Sequence, residues 1–160
     1  MAKISLAKAL KEKNSIAGKL KELQGRLNTY NSWVEGTEPA FDATTLMLEC
    51  MAMSDNLKRL KILIQTKNVG IAFQLVTLAE AKSWITWLKS INTREGVVEE
   101  YDRYDRNPKP PITYKVQYNS KYIIKTVEFW ENFIVETQDD IDTYNASTFI
   151  DFDITQPGQG

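Results

Sequence analysis

Leu46, Cys50, Met53, Leu57, Leu60 and Ile64 follow one another at steps of four, three, four, three and four. That alternation is the period of an α-helix with one apolar seam, and over nearly three heptads it is coiled-coil-like. The same step recurs elsewhere in the chain. Leu6, Leu10, Ala17, Leu20, Leu23, Leu27 and Tyr30 mark a first helix over about 5–30. Ala81, Trp84, Ile85, Leu88, Ile91, Val98 and Tyr101 mark a third, and Ile123, Val127, Trp130, Ile134, Thr137, Ile141 and Tyr144 a fourth. Four long amphipathic helices joined by short connections predict a mainly all-α chain built as a four-helix bundle. Of the stripe residues, Leu57, Leu60, Leu88, Val127, Trp130 and Ile134 are expected in the core.

The breaks in the pattern place the connections. Glu35-Gly36-Thr37-Glu38-Pro39 reads as a loop, after which Asp42 is the expected N-cap of the second helix. Asn68 and Gly70 are its expected stop signals. Ile71–Val76 is short and apolar, a strand or a connector. Thr77-Leu78-Ala79-Glu80 has the form of a capping box opening the third helix. That helix is expected to end by Arg106, because Asn107-Pro108-Lys109-Pro110-Pro111 cannot continue it. Strict alternation of apolar and polar residues predicts β segments near 112–118 and 148–154, besides the one near 71–76. Residues 1–154 are thus expected to form one helical-bundle domain, followed by a tail over 155–160.

Composition removes most chemistries. The chain of 160 residues has no histidine, so the commonest general base, the commonest metal ligand and all Ser/His and Cys/His dyads are missing. Carboxylate metal sites in helical bundles usually add Glu-x-x-His, which cannot occur here. The one cysteine, Cys50, cannot form an internal disulfide and lies on the seam between Leu46 and Met53, where a thiol acts as a small hydrophobe. No catalytic residue, cofactor or metal is expected. With a net charge of −1 the chain has no overall attraction for nucleic acid or anionic lipid, and neither is an expected partner. Met1–Lys13 lacks the apolar stretch of a signal peptide, so a cytoplasmic or virion setting is expected over secretion.

The order of the signals resembles the septicolysin-like family of small helical bacterial proteins. The residues that carry the resemblance are Glu35-Gly36-Thr37-Glu38-Pro39, the stretch Ile64–Asn68, Thr77-Leu78-Ala79-Glu80-Ala81, Tyr101-Asp102-Arg103-Tyr104 and Ile141-Asp142-Thr143-Tyr144-Asn145. Ala146-Ser147-Thr148-Phe149 stands where the family pattern has a Trp-Thr-Thr-Asp-like ending. The resemblance implies a helical fold and, through the family's name, membrane or pore-forming activity as an alternative function. It brings no catalytic residues.

Association with other protein chains is the expected function. From Met1 to Tyr30 the charges are mostly lysine, whereas after Lys125 no basic residue follows and eight acids do, from Glu128 to Asp153. Such ends can pair within or between subunits. Lys8, Lys11, Lys19 and Lys21 are therefore candidate contacts, set against Glu136, Asp139, Asp140 and Asp142. Trp84 and Trp130 are expected in the core. Trp33, in a loop, and Trp87, on a helix flank, are candidate interface aromatics. Ile150, Phe152 and Ile154 alternate with Asp151 and Asp153, an edge suited to adding a strand to a neighbour. The alternative is a strand packed on its own chain beside 112–118. A homo-oligomer or a subunit of a larger assembly, such as a phage-type virion, is the expected setting.

Overall fold

Ser5 accepts the backbone N–H of Lys8 on its hydroxyl and so starts the first helix, α1 (Leu6–Tyr30). Asp42 does the same for Thr45 at the start of α2 (Ala43–Asn68), as its sequence position predicts. The computed structural model describes residues 2–98 and 110–156. Within them lie two further helices, α3 (Ala72–Ser90) and α4 (Ser120–Ser147), and four short strands. The chain is mainly helical. The expected end of the third helix near Arg106, with Tyr101 on its stripe, and the tail at 157–160 lie outside the described residues.

Two compact units make up the chain: Met1–Ala72 with Ile141–Gly160, and Phe73–Asp140. In the first, α1 packs along α2. Strand β1 (Lys3–Ser5) pairs antiparallel with β4 (Phe149–Asp151), Ile4 opposite Ile150. The ladder extends past both ends through Leu6 N–H to Thr148 O (2.7 Å) and Phe152 N–H to Ala2 O (3.0 Å). Ile4, Leu6, Ala9, Ile16, Leu60, Ile64, Ile150 and Phe152 form the core of this unit. Leu46 and Cys50 are buried further along α2, while Met53 and Leu57 are half-buried against the cluster. On α1 the buried position is Ile16, whereas Ala17 is exposed. The larger aliphatic side chain takes the inward position because it removes more apolar surface from water.

In the second unit Ile85, Leu88, Ile123 and Val127 form the core, with Ile91, Trp130 and Ile134 packed against it. Of the six expected core residues, Leu60, Leu88 and Val127 are buried and Leu57, Trp130 and Ile134 half-buried. Strands β2 (Gly96–Val98) and β3 (Ile112–Tyr114) pair antiparallel, and the Arg94 guanidinium lies 4.3 Å from the Tyr114 ring centre. Gly96 has φ +98°, a backbone conformation that glycine adopts without strain.

Three expectations are corrected. Residues 71–76 are not a strand: Val69–Ile71 is a single 3-10 turn and α3 begins at Ala72. Ile71, Leu78, Ala81, Ile85 and Leu88 are buried at helical steps, and that burial outweighs the β-branched content of the run. Thr77 therefore sits inside α3 and does not cap it. α2 does end at Asn68, where the stop signals Asn68 and Gly70 place its end, and one 3-10 turn leads from it into α3. Gly70 also makes room for a neighbour. A Cβ there would collide with the phenol of Tyr144, whose hydroxyl donates to Lys67 O at 2.9 Å. Finally, α3 ends at Ser90, so Val98 belongs to β2 and not to a helix.

Candidate protein-interaction surface

A helix that buries one face against its own unit normally exposes charge on the other. In α3 the inward residues are Leu78, Ala81, Ile85 and Leu88. The opposite side carries Phe73, Val76, Trp84 and Trp87, at steps of three, eight and three, which return to one face of a helix. Phe73 is 78% exposed, Val76 62%, Trp84 46% and Trp87 51%. The two indoles lean on each other with ring centres 4.6 Å apart. Trp84 is thus not a core residue, contrary to its place in the stripe. Ile85 faces inward in its stead, one residue on. Trp87 is exposed, as an interface aromatic has to be.

Beside this face, the α3 end and the α4 start enclose a cleft of about 410 Å³ floored by Leu88, Ile91, Ile123 and Val127. Its rim holds Lys89, whose ammonium lies 3.1 Å from the Glu131 carboxylate, with both side chains more than half exposed. Such a pair adds at most about 1 kcal/mol.

The remaining sequence candidates divide into three groups. Lys8, Lys11, Lys19 and Lys21 are exposed on α1. Glu136, Asp139 and Asp140 are exposed on the part of α4 in the second unit, and Asp142 on the part in the first. Ion pairs among the described residues include Arg26–Glu22, Lys58–Asp55 and Lys89–Glu131. Trp33 is exposed in the loop between α1 and α2. The expected apolar anchor is corrected: Ile150 and Phe152 are each 4% exposed and belong to their own core, and Ile154 alone of the three is exposed. The strand is internal, but its partner is β1 and not the 112–118 segment.

Sequence reasoning missed Phe73, Val76 and Trp84 as surface residues. A second apolar stripe, offset from the first around α3, was the available signal. Among the described residues no three Cys, Asp or Glu side chains gather as a metal-binding group. Cys50 is buried on α2.

No family model matches the chain, and no curated protein matches it. A solved structure does: a functionally unknown conserved protein from Corynebacterium diphtheriae, with a TM-score of 0.70 and 18% identity. The match covers 94% of this chain and 100% of that one. At that identity the likeness shows a shared fold and nothing of activity or partners.

Proposed function

We propose that this chain is a non-catalytic subunit of a larger protein assembly. Its four amphipathic helices form a bundle-type scaffold that presents an aromatic face to another chain. The observation that carries the reading is the exposed row Phe73, Val76, Trp84 and Trp87 on α3. Aromatic side chains are enriched at the centres of protein interfaces, and an apolar row of this kind in water favours being covered. The missing histidine and the buried Cys50 support the non-catalytic part of the reading.

A second reading, membrane activity of the septicolysin-like kind, has one observation in its favour. The helical run Ala43–Ser90 contains a window long and apolar enough to cross a membrane, and most of that window is exposed. Glu80, exposed and on the same side of α3 as the aromatic row, favours the protein partner.

Sedimentation of the full chain purified from its source tests the proposal. A particle heavier than one chain is expected, falling to monomer mass when Trp84 and Trp87 are both changed to Ser without loss of helical signal. A monomer that releases dye from liposomes would establish the second reading instead. A monomer that does neither would overturn both.

A further inference from the structure

The end of α1, the loop after it and the start of α2 expose a second apolar surface, away from the α3 face in sequence and resting on different residues. Trp33, Val34, Met47, Leu48 and Met51 are each half or more exposed there, from 50% at Met47 to 73% at Val34. A groove of about 570 Å³ runs between Leu27 on α1 and Met47 and Leu48 on α2. Its neighbourhood is braced: the Tyr30 and Phe41 rings sit 4.9 Å apart, and the Arg26 guanidinium covers Phe41 at 5.7 Å while pairing with Glu22. Methionine suits a surface that adapts to a partner, because its unbranched thioether reaches many shapes at low cost.

Charge identifies the partner. Between Arg26 and Lys58 the chain has no basic residue and five acids: Glu35, Glu38, Asp42, Glu49 and Asp55. Asp55 is paired with Lys58, but Glu35, Glu38 and Asp42 stand exposed in or beside the loop. A surface both apolar and negative repels anionic headgroups, so a membrane is the wrong occupant. The lysine-bearing α1 of a second copy is also unsuited, since its Leu6, Ala9 and Ile16 are already buried in its own core. We infer that this α1–α2 tip is a docking site for an amphipathic helix of a partner protein, with leucine-type residues in the groove and lysine or arginine on the flanks.

The test titrates the full chain into a labelled synthetic helix of leucine and lysine. A leucine–glutamate helix of the same pattern and phosphatidylserine vesicles serve as the other arms. Saturable binding of the lysine helix is expected, with shifts of the Met47 and Met51 methyl resonances. Leu48→Ser with Met51→Ser should weaken it about tenfold or more. Glu35→Lys with Glu38→Lys should weaken it by a similar factor, about tenfold, and bring in the glutamate helix. All four positions are exposed, so unchanged melting of the variants is expected and is checked by circular dichroism. Equal binding of both helices, binding indifferent to the four substitutions, still methyl resonances, or stronger binding to the vesicles than to the lysine helix would each overturn the inference.

Discussion

Asn56 shows how much one polar side chain can hold in place. It is 1% exposed on α2. Its amide donates to Ala52 O at 3.0 Å and to Thr155 O at 2.9 Å, while its oxygen accepts the Thr155 backbone N–H at 2.9 Å. Arg59 adds a bond to the Thr155 hydroxyl at 2.7 Å and lies over the Phe152 ring. Asn56 thus pairs with the backbone of Thr155 as a neighbouring strand would. Asn56→Ala leaves the half-buried N–H and C=O of Thr155 without these bonds, each at the lower part of the range of about 1–3 kcal/mol for an unsatisfied group. We expect a total loss of about 3 kcal/mol, read as a lower urea midpoint with an unchanged slope. A loss below about 1 kcal/mol would show that the tail is held by other contacts. The sequence places Leu57 on the seam and passes over Asn56, because the partner that makes Asn56 tolerable inside is 99 positions away. Trp84 was misplaced for a related reason. Periodicity finds stripes, but which of two stripes is covered depends on what packs against the helix.

At the level of elements, a helix start was legible where the cap bond forms, as at Asp42, and misread at Thr77, where burial carries the helix past the capping sequence. Asp42 was readable as the N-cap of α2, and its carboxylate accepts the Thr45 hydroxyl at 2.6 Å and the Thr45 N–H at 2.7 Å. Those two bonds, the hydroxyl first, hold the Asp42 carboxyl below the ordinary carboxylate range. A depressed native pKa means that the unfolded chain binds the proton more readily. The cap's stabilisation is therefore fully present above the ordinary value and lost as pH falls through the native one. Asp42→Asn keeps an acceptor but no titrating group. The melting-temperature gap between wild type and variant is expected to be constant near neutral pH and to narrow below about pH 4. Thermal melting followed by circular dichroism across that range checks it, and a gap that widens in acid would refute the assignment. Less local elements were illegible. β1 has three residues and exists only because β4, far along the chain, lies beside it. Residues 71–76 looked like a strand for want of any sign that α2 and α3 are separated by a single 3-10 turn.

For the molecule as a whole, two packed clusters of buried residues share no residue, eight in the unit built on α1 and α2 and four in the unit built on α3 and most of α4, while others such as Leu46, Cys50, Leu78 and Ala81 are buried outside both. A fully buried large aliphatic or aromatic side chain contributes roughly 1.5–3 kcal/mol, so the smaller cluster has less to resist local opening. Native-state hydrogen exchange is expected to rank the amides of Ile85, Leu88, Ile123 and Val127 below those of Leu60 and Ile64 in opening free energy. Cutting the chain after Asn145 sharpens the test. It removes β4 with Ile150 and Phe152, both 4% exposed, and leaves Ile4 and Leu60 facing the space they filled. Deletions of this kind cost several kcal/mol, about 2–5 for each large side chain lost from a core. Protection at Leu60 and Ile64 should therefore collapse in the truncated chain, and the ranking should invert. Protection at Leu60 and Ile64 that survives the cut would mean that the C-terminal strand adds nothing to its own unit, and would return Ile150 and Phe152 to the candidates for contact with a neighbouring chain.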